Sequence, residues 1–398
     1  MTPLYSGVWP RLFVGPPILT PSFRGVEYQT VGESKLRSQR GPGAPGRGAT
    51  SNPGGRFEPY HHVPFDDGWQ GLDWEPPPLD TTVTPETTRT IITRNDSPDV
   101  PFDLSINPYK GCEHGCIYCF ARPTHAYLGL SPGLDFESRI FSKPEAAGRL
   151  REQFAKPSYR PQVIAIGANT DPYQPAERSL EITRRILEVM LEHRHPVAIV
   201  TKSNLIARDL DLLRELSALR LVHVLISITT LDRDLARRME PRAPTPERRL
   251  EAMAALADEG VPVGVLASPM IPGLNDAEME KILEAAAKSR AGSAGYILLR
   301  LPLEVKELFQ EWLATHFPTK ASHVLSLLRE TRGGRLYDAQ FGTRMRGSGQ
   351  YAELLAKRFE VALRRFGLER RPAPLDASRF RSPARRDGQL TLFDSPPD

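Results

Sequence analysis

A chain of 398 residues with 40% hydrophobic and 25% charged residues can bury a sizeable core, which excludes fibrous and wholly disordered classes. No apolar run approaches the roughly 20 residues of a membrane helix, and Leu12-Phe-Val-Gly-Pro-Pro-Ile-Leu is too short and proline-broken for a secretory signal, so no membrane partner is expected. A net charge of +4 favours anionic partners only mildly.

Residues 1–56 carry much of the proline and glycine, with Gly41-Pro-Gly-Ala-Pro-Gly-Arg-Gly as the extreme case. Such a segment buries too little apolar surface to offset the entropy of ordering it, and it is expected to be a disordered extension. Aromatics return over 57–98, where Trp69 and Trp74 suggest an extended strap packed on the core. From residue 99 short apolar runs alternate with segments of helical period, the pattern of βα units on a parallel sheet. The strands are expected at 104–108, 162–168, 197–202, 222–229, 261–267 and 294–300. The helices are expected at 144–154, 176–192, 207–219, 232–239, 246–259 and 276–288. Six units that do not close to eight predict an α/β fold, an open (βα)6 partial TIM barrel over 99–302; a doubly wound sheet is the alternative. Helical periods at 304–317, 322–331 and 351–366 predict a C-terminal cover over 303–366. Residues 367–398 are expected to form a flexible basic tail.

In such barrels reactive groups lie beyond the C-terminal ends of the strands. Here Cys112–Cys119 follow the first strand and Asn169, Thr170 and Asp171 the second. Lys202 ends the third, Ser227 and Thr229 the fourth, Ser268 the fifth and Arg300 the sixth. All are expected on one rim. Asp171, Tyr173 and Glu177 are read first as a capped, proline-rich turn, with Tyr173 facing a substrate as the second reading. Arg242 and Arg300 are candidates for phosphate or carboxylate contacts.

Cys112, Cys116 and Cys119 are all the cysteines of the chain. Three thiols within eight residues cannot form a disulfide framework without leaving one over, so a bound metal explains them best, and the reduced thiols point to the cytoplasm. Zinc would need a fourth ligand such as His114 or His125, although C-x3-C-x2-C is not the paired knuckle of zinc ribbons. An iron–sulfur cube held by three thiolates keeps one iron without a protein ligand.

The loop, with Tyr118 before its last cysteine, resembles the signature of the radical SAM superfamily. The resemblance implies a [4Fe-4S] cluster on Cys112, Cys116 and Cys119, S-adenosyl-L-methionine chelated at the open iron, and a one-electron donor of flavodoxin or ferredoxin type. It also implies reductive cleavage to a 5′-deoxyadenosyl radical that abstracts hydrogen from a substrate. The runs Thr170-Asp-Pro-Tyr-Gln-Pro, Thr201-Lys202-Ser203, Glu240-Pro-Arg-Ala-Pro and Ser268-Pro-Met-Ile-Pro-Gly-Leu-Asn-Asp resemble the branch related to spore photoproduct lyase, a DNA repair enzyme. By that likeness Lys202 and Ser227 match S-adenosylmethionine contacts. Tyr118, Asn169, Thr170 and Asp171 complete the expected cofactor-binding set. A salt bridge to Asp171 is the alternative role for Lys202. One departure matters: the branch's hydrogen-returning cysteine stands just before the Thr-Asp pair, where this chain has Asn169. No catalytic residue is assigned, and thymine photoproduct repair is not expected.

Gln389-Leu-Thr-Leu-Phe393 resembles the peptide by which bacterial repair proteins dock on the DNA sliding clamp; folding of its apolar residues onto the barrel is the alternative. From Arg344 to Arg386 twelve Lys and Arg face four Asp and Glu, a balance of +8 that suits a phosphate backbone. The leading expectation is a radical SAM enzyme acting on a nucleic acid or another anion. A modifier of a protein or metabolite, or a DNA-associated redox sensor, are the alternatives.

Overall fold

The computed structural model describes residues 46–57 and 79–383. Residues 1–45, the part of the expected strap that holds Trp69 and Trp74, and the Gln389–Phe393 peptide lie outside the described residues. Among the described residues there are ten strands: β1 (Thr82–Pro85), β2 (Ile92–Arg94), β3 (Leu104–Ile106), β4 (Tyr109–Lys110), β5 (Arg139–Ser142), β6 (Ile164–Ile166), β7 (Val197–Thr201), β8 (Val222–Ser227), β9 (Val263–Met270) and β10 (Ser293–Leu298).

The principal sheet runs β10-β9-β8-β7-β6-β3-β2, parallel from β3 through β10, with β2 antiparallel on β3. Consecutive strands are neighbours throughout, without the reversal of order that defines a doubly wound sheet. Right-handed crossovers in a one-way progression put every helix on the same face, so the sheet curls into a barrel that stays open, with β2 and β10 at its edges. The strand interiors supply the core: Ile106, Ile164, Ile166, Ile199, Val224, Ile226 and Val265 are each fully buried. Ile186, Leu187 and Met190 of the helix Ile182–Glu192 close over it from outside, each contributing about 1.5–3 kcal/mol of burial.

Three differences from the sequence-based expectation have physical causes. The helix expected over 176–192 is split at Glu181, which stands at φ 49°. The buried Glu177 carboxylate accepts the Thr183 N–H at 3.0 Å, capping the second piece and turning the chain there. A small sheet of β1, β5 and β4 was not foreseen, because strands of two to four residues carry no readable alternation. Residues 46–56, placed within the disordered extension, are packed: Ala49 is buried, and the Gly48 and Ala49 N–H groups both donate at 2.8 Å to the carboxylate of Glu137. A buried carboxylate that needs donors thus orders a segment whose composition does not.

Beyond the sheet, the helices Val305–His316 and Pro318–Glu330 share a second core of Phe309, Trp312, Leu313 and Leu328 with Ile117 of the cysteine loop. The helix Gly349–Phe366 packs beside Met279–Lys288 and sets Phe359 4.7 Å from the ring of Tyr296 on β10. The basic run is partly spent inside the molecule, with Arg344 on Asp99, Arg358 on Glu280, Arg370 on Glu360 and Arg379 on Asp376.

Candidate active site

The cysteine loop leaves β4 at Gly111 and ends at the 3-10 helix Arg122–Leu128. Its tight course needs a glycine at 115, where φ is 68° and a side chain would strike the Glu137 carboxylate. Arg122, fully buried, holds the loop from beneath. Its Nε donates to the Cys116 carbonyl at 2.9 Å, one terminal nitrogen donates to the carbonyls of Pro132 and Gly133, and the other to Gly115 at 3.0 Å. That last nitrogen also pairs with the equally buried Glu137. Glu113 ties the loop sideways, accepting the Ala176 N–H at 2.8 Å and meeting Arg242 at 3.2 Å, while its own N–H donates to Gln174.

Held this way, all three thiols line one cavity of about 580 Å³. Burial pushes each thiol up, Cys116 to about 12 with help from Glu240, so the bare site disfavours thiolates and a cationic metal centre is what would stabilise them. Among the described residues no three His, Cys, Asp or Glu side chains converge closely enough to grip a single ion. Three soft donors on one wall suit an iron–sulfur cluster. Of the histidines weighed as zinc ligands, His114 lines the cavity and His125 does not. His125 bonds through Nε2 to the Arg139 carbonyl at 3.0 Å and packs on Phe136, and His114 Nδ1 lies 3.3 Å from Asp171.

The polar groups expected on the rim gather around this cavity, which Tyr118, Asn169, Thr170, Asp171, Lys202, Ser227, Ser268 and Arg300 all line. Lys202 departs from the alternative role weighed for it, a salt bridge to Asp171. Its Nζ donates to Ser227 Oγ at 2.7 Å and pairs with Glu240 at 3.2 Å, whereas Asp171 takes only its backbone N–H, at 2.7 Å. Asp171 also accepts from the Thr201 hydroxyl and the Tyr173 N–H. Burial alone would push its carboxyl up; His114 and these donors outweigh that and hold it below the usual range.

Glu240 is the hub that sequence reasoning missed. It receives the Tyr118 phenol, the Thr229 hydroxyl at 2.6 Å, Lys202 and the buried guanidinium of Arg249. Burial works against its charge, but Arg249 and then Lys202 hold the carboxyl well below the ordinary carboxylate range. Burial, Cys116 and Glu240 push the Tyr118 phenol far up, so it stays a donor and its ring stays fixed against the cavity. Glu240 had been singled out only as part of its motif. Its partner Arg249 sits in the first turn of the helix Pro246–Asp258, where an arginine reads as solvated.

Other candidates lie away from the chemistry. Tyr173 is buried with its hydroxyl on Asp209 at 3.1 Å, and Glu177 takes the Tyr109 phenol and Arg208. Both build the frame, as the turn reading anticipated. Arg242 is spent on Glu113. Thr170 donates to the Tyr109 carbonyl at 3.0 Å while Asn169 is exposed at the cavity. The loop after residue 333 adds Phe341, Arg344 and Met345 to the lining, a contribution no motif announced.

The radical SAM superfamily model matches residues 106–286. An uncharacterized protein of Mycobacterium tuberculosis strain H37Rv is 33% identical over 298 residues, covering 74% of this chain and 83% of the relative. One from Methanocaldococcus jannaschii is 27% identical over 213 residues, covering 54% and 76%. Spore photoproduct lyase complexed with dinucleoside spore photoproduct shares the fold at a TM-score of 0.54 and 16% identity, over 72% of this chain and 81% of that one. A mutant of the same lyase with bound AdoMet and the dinucleoside gives 0.53, at 16% identity and with the same coverage. The chain therefore belongs to the radical SAM superfamily, an enzyme whose cofactors are a [4Fe-4S] cluster and S-adenosylmethionine and whose partial TIM barrel is that of spore photoproduct lyase.

Proposed function

We propose that Cys112, Cys116 and Cys119 hold the cluster and that the enzyme removes a hydrogen atom from a nucleic acid component admitted to the same cavity. The observation carrying this reading is that three thiols, Lys202 with its partner Ser227, and Arg300, which forms no salt bridge among the described residues, line one cavity, with Glu240 holding Lys202 from behind. When bound, the cluster would supply one electron to the sulfonium of S-adenosylmethionine, so that the C5′–S bond breaks, methionine leaves and the freed 5′ carbon takes a hydrogen atom from the substrate. Lys202, placed by Glu240 and only slightly exposed, offers its ammonium to the methionyl carboxylate, and Ser227 offers a hydroxyl beside it. Asn169 and the Tyr118 ring face the nucleoside end. A fold neighbour crystallised with a dinucleoside supports a nucleic acid ligand.

Photoproduct repair itself is not the reaction proposed, since every thiol is committed to iron and Asn169 stands where a sulfur donor would be needed. An electron donor of flavodoxin or ferredoxin type completes the scheme. Anaerobic reconstitution should give about four irons per chain, lost when any of the three cysteines is replaced by alanine. With deuterated single-stranded DNA, deuterium should appear in the 5′-deoxyadenosine formed. Label-free 5′-deoxyadenosine at the same rate with or without nucleic acid would reject the substrate class while leaving the cofactor assignment intact.

A further inference from the structure

Beyond the thiols, the cavity carries two exposed aromatic rings, each beneath an arginine. Phe120 is 42% exposed with the Arg300 guanidinium 5.2 Å from its centroid, and Phe341 is 52% exposed with Arg344 at 4.4 Å. The arginines differ in what else they touch. Arg344 is paired with Asp99, whose other oxygen takes the Gly342 N–H at 2.7 Å. Arg332, just behind, spends its terminal nitrogens on the carbonyls of Leu298, Leu299 and Thr343. Arg300 has no carboxylate partner among the described residues. Its Nε is buried and unbonded, and its one hydrogen bond among the described residues goes to the weakly accepting sulfur of Met345 at 3.5 Å. A guanidinium left unpaired in a cavity wall is a donor fork held for an anion, and phosphate oxygens match that fork in pairs.

An aromatic face beside a free guanidinium is the combination by which proteins hold unpaired bases, stacking the ring and neutralising the phosphate. We propose that Arg300 binds the phosphate of a nucleotide whose base stacks at Phe120, with Phe341 receiving a neighbouring base. Both platforms border the half-open cavity of about 580 Å³ that the thiols also line, and a base can lie on either ring only once it has left its own stack, in a single strand or flipped out of a duplex. Phe120 directly follows Cys119, which sets this nucleotide next to the cluster loop. The inference rests on the nucleic acid reading above and adds the residues that hold the substrate.

The test uses reconstituted holoenzyme, a fluorescein-labelled oligothymidylate and its duplex, followed by anisotropy across a salt series. The single strand should bind more tightly than the duplex. Arg300→Gln should weaken it about tenfold and lower the salt slope by about one phosphate, and Phe341→Ala should weaken it severalfold at unchanged slope. Iron content and thermal midpoint matching the wild type show that each variant is folded. Competition by thymidine monophosphate at similar concentration would identify a free nucleotide as the occupant of the same subsite. If the wild type binds no oligonucleotide, the nucleic acid reading fails and this subsite with it. If it binds and Arg300→Gln leaves both affinity and slope unchanged, only the subsite is wrong.

Discussion

Cys119 and Phe120 are adjacent in the chain, yet the regions they belong to are built in opposite ways. On the cysteine side the donors of Arg122 have acceptors, Glu137 gathers two backbone N–H groups and a guanidinium, and Glu240 collects four partners. On the mouth side two phenylalanine rings stand exposed and Arg300 forms no salt bridge among the described residues, Asp99, whose carboxylate feels its charge, being already paired with Arg344. The cysteine side spends its charged groups on one another, although the buried Nδ1 atoms of His114 and His125 form no hydrogen bond among the described residues, whereas a surface that receives a substrate keeps its charged donors unspent.

The largest test of this contrast is Glu137→Ala, which strands Arg122 in the interior and should cost about 3–5 kcal/mol. Denaturant unfolding and iron content should both show it, and normal iron retention in a destabilised variant would detach this pair from the cluster site. Gly48→Ala comes next. Any Cβ there meets the Gly115 carbonyl, so the N-terminal segment must withdraw from the loop at a cost of about 1–3 kcal/mol. Bleaching of the cluster absorbance in air should quicken; an unchanged rate would show that the segment covers nothing that matters to iron.

Acid should attack the same side. The Glu240 carboxyl is held below its ordinary value of 4.5, so its contribution to stability is complete above that pH and lost as the pH falls through the depressed folded value. Glu240→Gln should lower stability at neutral pH and flatten the decline below about pH 4.5. A decline as steep as that of the wild type would place the acid sensitivity elsewhere. Lys202→Met removes one of Glu240's cations and should weaken S-adenosylmethionine binding by about tenfold, or about 1.4 kcal/mol, as read by calorimetry on the reconstituted protein. The smallest expected effect on stability lies at the mouth. Arg300→Gln should change unfolding by no more than about 0.5 kcal/mol, because no counterion is lost with it. A large loss there would erase the contrast.

Much of the fold was legible because both-face burial writes itself into the chain. The Val, Ile and Ala runs ending near Ile166, Thr201 and Ser227 located strands to within a few residues, and their spacing required crossover helices. The cysteine spacing likewise announced its chemistry, since three thiols that cannot pair off must serve a metal. Glu137 and Arg249 were illegible, being charged residues in short or helical segments where exposure is the default reading. Residues 46–56 misled for the related reason that composition describes what a segment can bury, not what a distant carboxylate can offer it.

Local order thus determined the barrel strands, most of the helix spans and the trio of cysteines proposed to hold the cluster, because periodicity and ligand spacing act over neighbouring residues. Tertiary structure alone decided that Lys202 answers to Glu240, that Gly48 leans on Gly115, and that Arg300 remains unpaired beside Phe120. Each joins side chains from separate loops, and which charge meets which is set by how those loops meet at the rim.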